Sequence, residues 1–273
     1  MSNNGLANWL ERFQEMPNDR PTKTLFVAFA VSIVCAVMVS GTAVFLKPLQ
    51  QANKERERQQ QILDIVARLP GVEELFETVE VHHVEAHVVE LATGNYVRSI
   101  DPAEYDQRKA SIDPQLSVAV TPEHDIANIQ RHAKYATVYL VKSEGQIKLL
   151  ILPVHGSGYA STLYGFLALE GDANTVVALS FFEHAETPGM GAKIDEPEWR
   201  DRWQGKKVWD EDNQLRIGVA RGQVDPSMPS APYEVDGISG ATRTAQGVTN
   251  LLRFWLGDYG FGPYLEKIRS RRG

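Results

Sequence analysis

The chain has 273 residues, a formal net charge of −7, 43% hydrophobic residues and a single cysteine, Cys35. An acidic balance of this kind argues against nucleic acid as a partner. One cysteine forms no intrachain disulfide and no cysteine-rich metal site, so the fold has to rest on a packed core.

Residues 1–24 carry mixed charge, with scattered apolar positions at Leu6, Trp9, Leu10 and Phe13, and support no more than a short amphipathic turn. From Leu25 to Leu46 there is no Asp, Glu, Lys, Arg or His, and Lys23 and Lys47 bracket the run. As a helix it would be about 33 Å long, enough to span a bilayer once. It is too long for the apolar core of a signal peptide and no Ala-x-Ala site precedes Lys47, so it reads as a retained transmembrane anchor. Ala28, Ser32, Ala36 and Ser40 fall four apart, a small-residue stripe that would let another membrane helix approach. Basic residues flank the anchor on both sides, so charge gives no orientation.

Residues 47–70 read as a stalk helix, charged at first and then apolar through Ile62, Leu63, Ile65, Val66 and Leu69, and ended by Pro70-Gly71. The folded domain is expected over 71–273. Val79–Leu91 is valine-rich and reads as strand. It carries His82, His83 and His87, two of which would share a strand face. No further ligand at useful spacing follows, so these read as surface polar positions rather than a metal site. A charged, proline-punctuated insertion of short helix and loop occupies about 80–131, including Asp101-Pro-Ala-Glu-Tyr-Asp-Gln-Arg-Lys109.

Tyr135–Val141 and Ile147–Leu152, joined at Ser143-Glu-Gly145, predict a hairpin. A loop at His155-Gly-Ser-Gly158 is expected before further strands at Thr162–Leu169 and Asn174–Phe182. Antiparallel strands in succession predict an α+β domain. Glu186-Thr-Pro-Gly-Met-Gly191 predicts a tight turn with exposed backbone. Glu196–Trp203 reads as a short helix with Trp199 and Trp203 on one face, and Lys206–Val219 as a polar hairpin turning at Asp212-Asn213.

Asp236-Gly-Ile-Ser-Gly-Ala-Thr242 then puts a hydroxyl on a small-residue turn ahead of an amphipathic helix running to Gly257. A helix end of this kind favours a phosphate near the Thr242 hydroxyl. The competing reading is that Thr242 or Thr244 is only an N-cap.

The Ser239-Gly240-Ala241-Thr242 motif, Glu186–Gly191, the Asp-Gln-Arg-Lys109 insertion, the early anchor and the Gly-Pro-Tyr-Leu tail resemble the C subunit of the bacterial Na+-translocating NADH:quinone reductases. The resemblance spans essentially the whole chain. It implies a bacterial inner-membrane protein with one N-terminal transmembrane helix and a mixed α+β FMN-binding domain on the periplasmic side. It implies five partner subunits and FMN carried on Thr242 by a phosphoester bond, attached by a flavin transferase. It also implies an electron relay with no substrate site of its own. Ser239, Gly240, Ala241 and Asp236 then belong to the attachment motif. Glu186, Thr187, Gly189 and Gly191, with His155 and Gly156, are expected around the flavin. The chain departs from the family pattern at Met190, where leucine is usual, and at Tyr159-Ala160, where Leu-Trp is common. That leaves Tyr159 as the aromatic candidate to pack on the flavin. The related G subunit of Rnf-type electron-transfer complexes shares the motif but is shorter. A cofactor-free, membrane-anchored assembly module would use Thr242 as a cap alone.

Overall fold

The structure is a computed structural model that describes residues 21, 23–29, 31–40 and 84–270. The rest of the polar segment, the end of the anchor, the stalk, His82 and His83 lie outside the described residues. The chain divides into two units, residues 1–58 and 59–273.

The first unit contains helix α1, Lys23–Ser40, with a mean hydropathy of 2.1, long and apolar enough to cross a membrane. Leu25, Phe29, Val37 and Val39 are all exposed on it. Ser32 returns its hydroxyl to the Ala28 carbonyl at 2.7 Å, which satisfies that polar group within the helix.

The second unit is built on a six-stranded antiparallel sheet. Its strands are β1 (Val84–Glu90), β2 (Asn95–Tyr96), β5 (Tyr135–Ser143), β6 (Gln146–Ser157), β7 (Thr162–Glu170) and β8 (Val176–Glu183), in the order β2-β1-β5-β6-β7-β8. Two small pairs lie outside it: β3 (Ser117–Ala119) with β4 (Arg131–Ala133), and β9 (Gly218–Val219) with β10 (Glu234–Val235). Side chains alternate across each strand, and here both faces are apolar. Leu150, Leu152 and Val154 of β6 join the main core, while Leu149 and Ile151 form a smaller cluster with Val141, Ala168, Val177 and Ala178. This is why β5–β8 read as nearly continuous hydrophobic runs.

The main face of the sheet is covered by α4 (Thr242–Leu256). Val248, Leu251, Leu252 and Trp255 recur at helical spacing and are fully buried against it. The described residues of this unit also form the helices α2 (Gln107–Ile112), α3 (Pro197–Arg200) and α5 (Gly262–Ser270).

Two segments differ from their sequence reading. His155–Ser157 is not loop but the end of β6, paired residue for residue with β7. Glycine there looks like a loop signal, yet a Cβ on Gly156 would sit 2.6 Å from the Leu251 Cβ, so its smallness serves the close approach of α4. Within the insertion, β1 is a full strand of the main sheet, and Ala110, Val120 and Ala127 are buried. Lys206–Val219 folds back as expected at Asp212-Asn213: Trp209 bridges Leu215, the Asp210 N–H donates to the Gln214 carbonyl and the Arg216 N–H to the Val208 carbonyl, Asn213 is at φ +61°, and the Asp210 carboxylate accepts from the Gln214 N–H and Arg216. The β5–β6 turn is as expected, with Glu144 and Gly145 both at positive φ.

Candidate functional site

The turn before α4 is made of small residues for separate reasons. Gly240 is at φ +77°, Ala241 tucks its methyl group into the core, and Thr242 follows as the first helical residue with its side chain exposed. Ala241 occupies the N-cap position and has no side-chain oxygen to offer. The positive end of the helix is therefore uncapped, and no acidic residue lies in its first turn. Neither threonine caps it: Thr242 already lies inside the helix, and the Thr244 hydroxyl is turned to Glu186 at 2.6 Å.

Around this end lies a cavity of about 310 Å³, lined by Tyr159, Glu186, Thr187, Met190, Gly191, Gly240, Ala241, Thr242, Arg243 and Thr244. That volume is in the range of small-molecule sites. Tyr159 and Met190 stand exposed at its rim, and the Arg243 guanidinium lies over the Tyr159 ring, 5.5 Å from its centroid.

Glu186 holds the walls together. Only 5% exposed, it accepts from the Ala160 N–H at 2.9 Å and the Ser161 N–H at 3.3 Å through Oε1, and from Thr244 through Oε2. One buried carboxylate thus ties the β6–β7 turn to the first turn of α4. Its oxygens are spent on these donors, so it orders the cavity more than it faces it. Gly191 completes the wall: a Cβ there would meet Glu186 Oε2 at 2.5 Å and Thr244 Oγ1 at 2.7 Å. The Thr187 carbonyl accepts from the Met190 and Ala192 N–H groups, closing the predicted turn around Gly189 at φ +73°.

The residues expected around the flavin therefore separate. Thr242, Gly240, Ala241, Glu186, Thr187, Gly191 and Tyr159 line one cavity. Ser239 is exposed beside it, and Gly189 lies at the tip of the turn. Asp236 is set back: its carboxylate accepts from the Val224 N–H at 2.7 Å and from Arg202, and its carbonyl from the Trp199 indole at 3.1 Å. It orders the approach to the motif.

His155 faces elsewhere. Its ring stacks on Tyr164 at 5.4 Å and leans on Trp255 at 4.8 Å, beside a separate cleft of about 340 Å³ that also involves Arg108, Lys109 and Phe182. Burial, with the positive charge of Arg108 and His132 nearby, pushes its pKa down to about 4, so the ring is neutral at pH 7. His87 donates from Nε2 to the Glu85 carboxylate at 2.9 Å, and no metal-binding group of His, Cys, Asp or Glu occurs among the described residues. Arg243 and Thr244 also line the cavity, although the sequence reading assigns Arg243 no role and Thr244 only that of a possible N-cap; their position directly after Thr242, in the first helical turn, was the available signal.

The cavity, the uncapped helix end and the exposed hydroxyl together can accommodate a phosphate-bearing small molecule at a helix N-terminus. Residues 158–257, which contain all ten lining residues, match the FMN-binding domain family. A protein of Pseudomonas aeruginosa, named as the C subunit of a Na(+)-translocating NADH-quinone reductase, is 45% identical over 91% of this chain and 96% of its own length. Its namesake from Vibrio alginolyticus is 43% identical over 93% and 97%. The crystal structure of NqrC from Shewanella oneidensis superposes with a TM-score of 0.66 at 29% identity, covering 80% of this chain and 99% of that one. This chain belongs to the family formed by the C subunits of Na+-translocating NADH-quinone reductases, flavoprotein subunits of an oxidoreductase complex.

Proposed function

We propose that this chain is anchored in the bacterial inner membrane by α1, with its folded domain on the periplasmic side. There it relays electrons within a six-subunit Na+-translocating NADH:quinone reductase through FMN joined to Thr242 by a phosphoester. The observation that carries the reading is the exposed Thr242 hydroxyl at the uncapped end of α4, on the wall of a cavity of small-molecule size. Attachment breaks the Thr242 O–H bond and forms an Oγ1–P bond. Water is a poor leaving group here, so the donor is an activated flavin phosphoanhydride presented by a flavin transferase. Its leaving phosphate departs with the electron pair, and the hydroxyl proton goes to solvent.

The protein's residues supply the rest. First-turn N–H groups of α4 and its macrodipole favour the phosphate. Ala241 and Gly240 leave the hydroxyl accessible to the transferase, while Thr187, Gly191, Met190 and Tyr159 offer backbone and apolar surface to a ring. FMN, when bound, supplies the redox chemistry. Thr242 takes no part in turnover, since its oxygen is consumed once as a tether.

The test is expression with the flavin transferase followed by denaturation. Flavin fluorescence stays with the wild-type polypeptide and is lost in Thr242→Val. Flavin that persists in that variant, or a complex whose quinone reduction is unaffected by it, would refute the attachment or the relay respectively.

A further inference from the structure

Arg243 is placed against the usual preference of a helix. It is the second residue of a 15-residue helix, in the first turn, where a cation opposes the macrodipole and no acidic side chain offsets it. Nor does it have a carboxylate partner among the described residues. The buried acid of the same cavity, Glu186, has its oxygens occupied by Ala160, Ser161 and Thr244. What Arg243 does have is the exposed ring of Tyr159, a weak contact at a solvated site. Of the ten residues that line the cavity it alone is cationic, and Glu186 alone is anionic. A phosphodiester entering this cavity would add a second negative charge next to a buried carboxylate.

We propose that Arg243 is the anion clamp of this site: it leaves Tyr159 to pair with the phosphodiester that joins Thr242 to FMN. The clamp rests on the attachment reading above and adds a positioning role for this chain's own arginine. A guanidinium fork suits a phosphodiester, because two N–H donors can meet its two free oxygens. The same pairing reverses the sign of the helix-end electrostatics. Without flavin, Arg243 works against the dipole; with flavin, arginine and the helix end both act on one anion.

That reversal is measurable in the full-length chain, expressed in detergent with and without its flavin transferase. In the flavin-free form, Arg243→Gln leaves the melting temperature unchanged or raises it, since an exposed cation is removed from a helix N-terminus. In the flavin-loaded form the same substitution lowers it by roughly 2–4 °C relative to loaded wild type, the scale of one charge-assisted contact in a domain of this size. Added NaCl shrinks that difference, and Arg243→Lys recovers part of it. The anisotropy decay of the attached flavin also gains a faster component in Arg243→Gln, as the tether is released on one side. Equal melting temperatures for loaded wild type and loaded Arg243→Gln, or the same drop in both forms, would overturn the clamp while leaving attachment intact. A wild-type chain that never acquires flavin overturns the attachment reading and the clamp together. Loss of flavin confined to Thr242→Val, with Arg243→Gln still yellow, separates tether from clamp.

Discussion

At its C-terminal end α4 buries Trp255 completely, and the indole N–H donates to the His155 carbonyl at 2.6 Å; Phe261 and Tyr264 are buried as well, Phe261 directly against the indole. At its N-terminal end the same helix has no cap, an exposed threonine and a cation in the first turn. The C-terminal end has a basic residue in its last turn and a glycine stop, whereas the N-terminal end has neither a side-chain cap nor an acid in its first turn and carries a cation there. The difference shows how the exposed hydroxyl of Thr242 is held still without being covered. Rigidity is supplied along the helix by the packing of Val248, Leu251, Leu252 and Trp255 in the core, and the open end inherits it through the helix itself.

This contrast can be broken from either side. The largest effect is expected at the packed end. Trp255→Ala removes a fully buried indole and its hydrogen bond, and should cost about 3–5 kcal/mol in urea unfolding, with flavin attachment lost as a consequence of unfolding.

Acid should act on the same end to a comparable degree. His155 is depressed to about 4 in the folded chain against 6.5 for the free side chain. The unfolded state therefore binds the proton first. Stability from the neutral ring is complete above about pH 6.5 and is lost as the pH falls from there towards 4, by about 3 kcal/mol. His155→Phe, which retains a ring between Tyr164 and Trp255, should flatten melting temperature against pH in that window.

Between the ends lies the wall of the cavity. Gly191→Ala forces a Cβ against the Glu186 carboxylate and Thr244. Overpacking of this kind should cost about 1–3 kcal/mol and slow flavin loading even in chains that remain folded, as read by in-gel fluorescence over time. The smallest effect on stability belongs to Thr242→Val, within about 0.5 kcal/mol because the side chain is exposed and caps nothing. A large loss there would mean that Thr242 is structural after all, and the two ends of the helix would not differ in the way described.

Much of this molecule was legible before folding. The anchor, the β5–β6 hairpin, the two strands after it and α4 with its stop at Gly257 all follow from period and turn chemistry, which are local. The turn from Asp236 to Thr242 was also legible, because a run of small residues ahead of an amphipathic helix is a local pattern. Glu186 was marked as a site residue, but nothing local says that its oxygens reach Ala160, Ser161 and Thr244.

Long-range contacts account for the residues that sit elsewhere than their local sequence implies. His155-Gly-Ser-Gly158 has the composition of a loop, yet β7 pairs with His155–Ser157 and Leu251 lies against Gly156, so those three residues are strand and His155 faces away from the cavity. Asp236 looked like a ligand because of its place in the motif, and is instead consumed by Val224 and Arg202.

The sequence by itself determined the α+β class, the membrane-length helix and the start of α4 at Thr242, since each depends on neighbours within a few positions. Only the tertiary structure decided which distant residues surround that threonine. The β6–β7 turn, the Glu186 turn and the first turn of α4 meet because α4 packs on β6. That meeting leaves Arg243 as the single cation at the cavity.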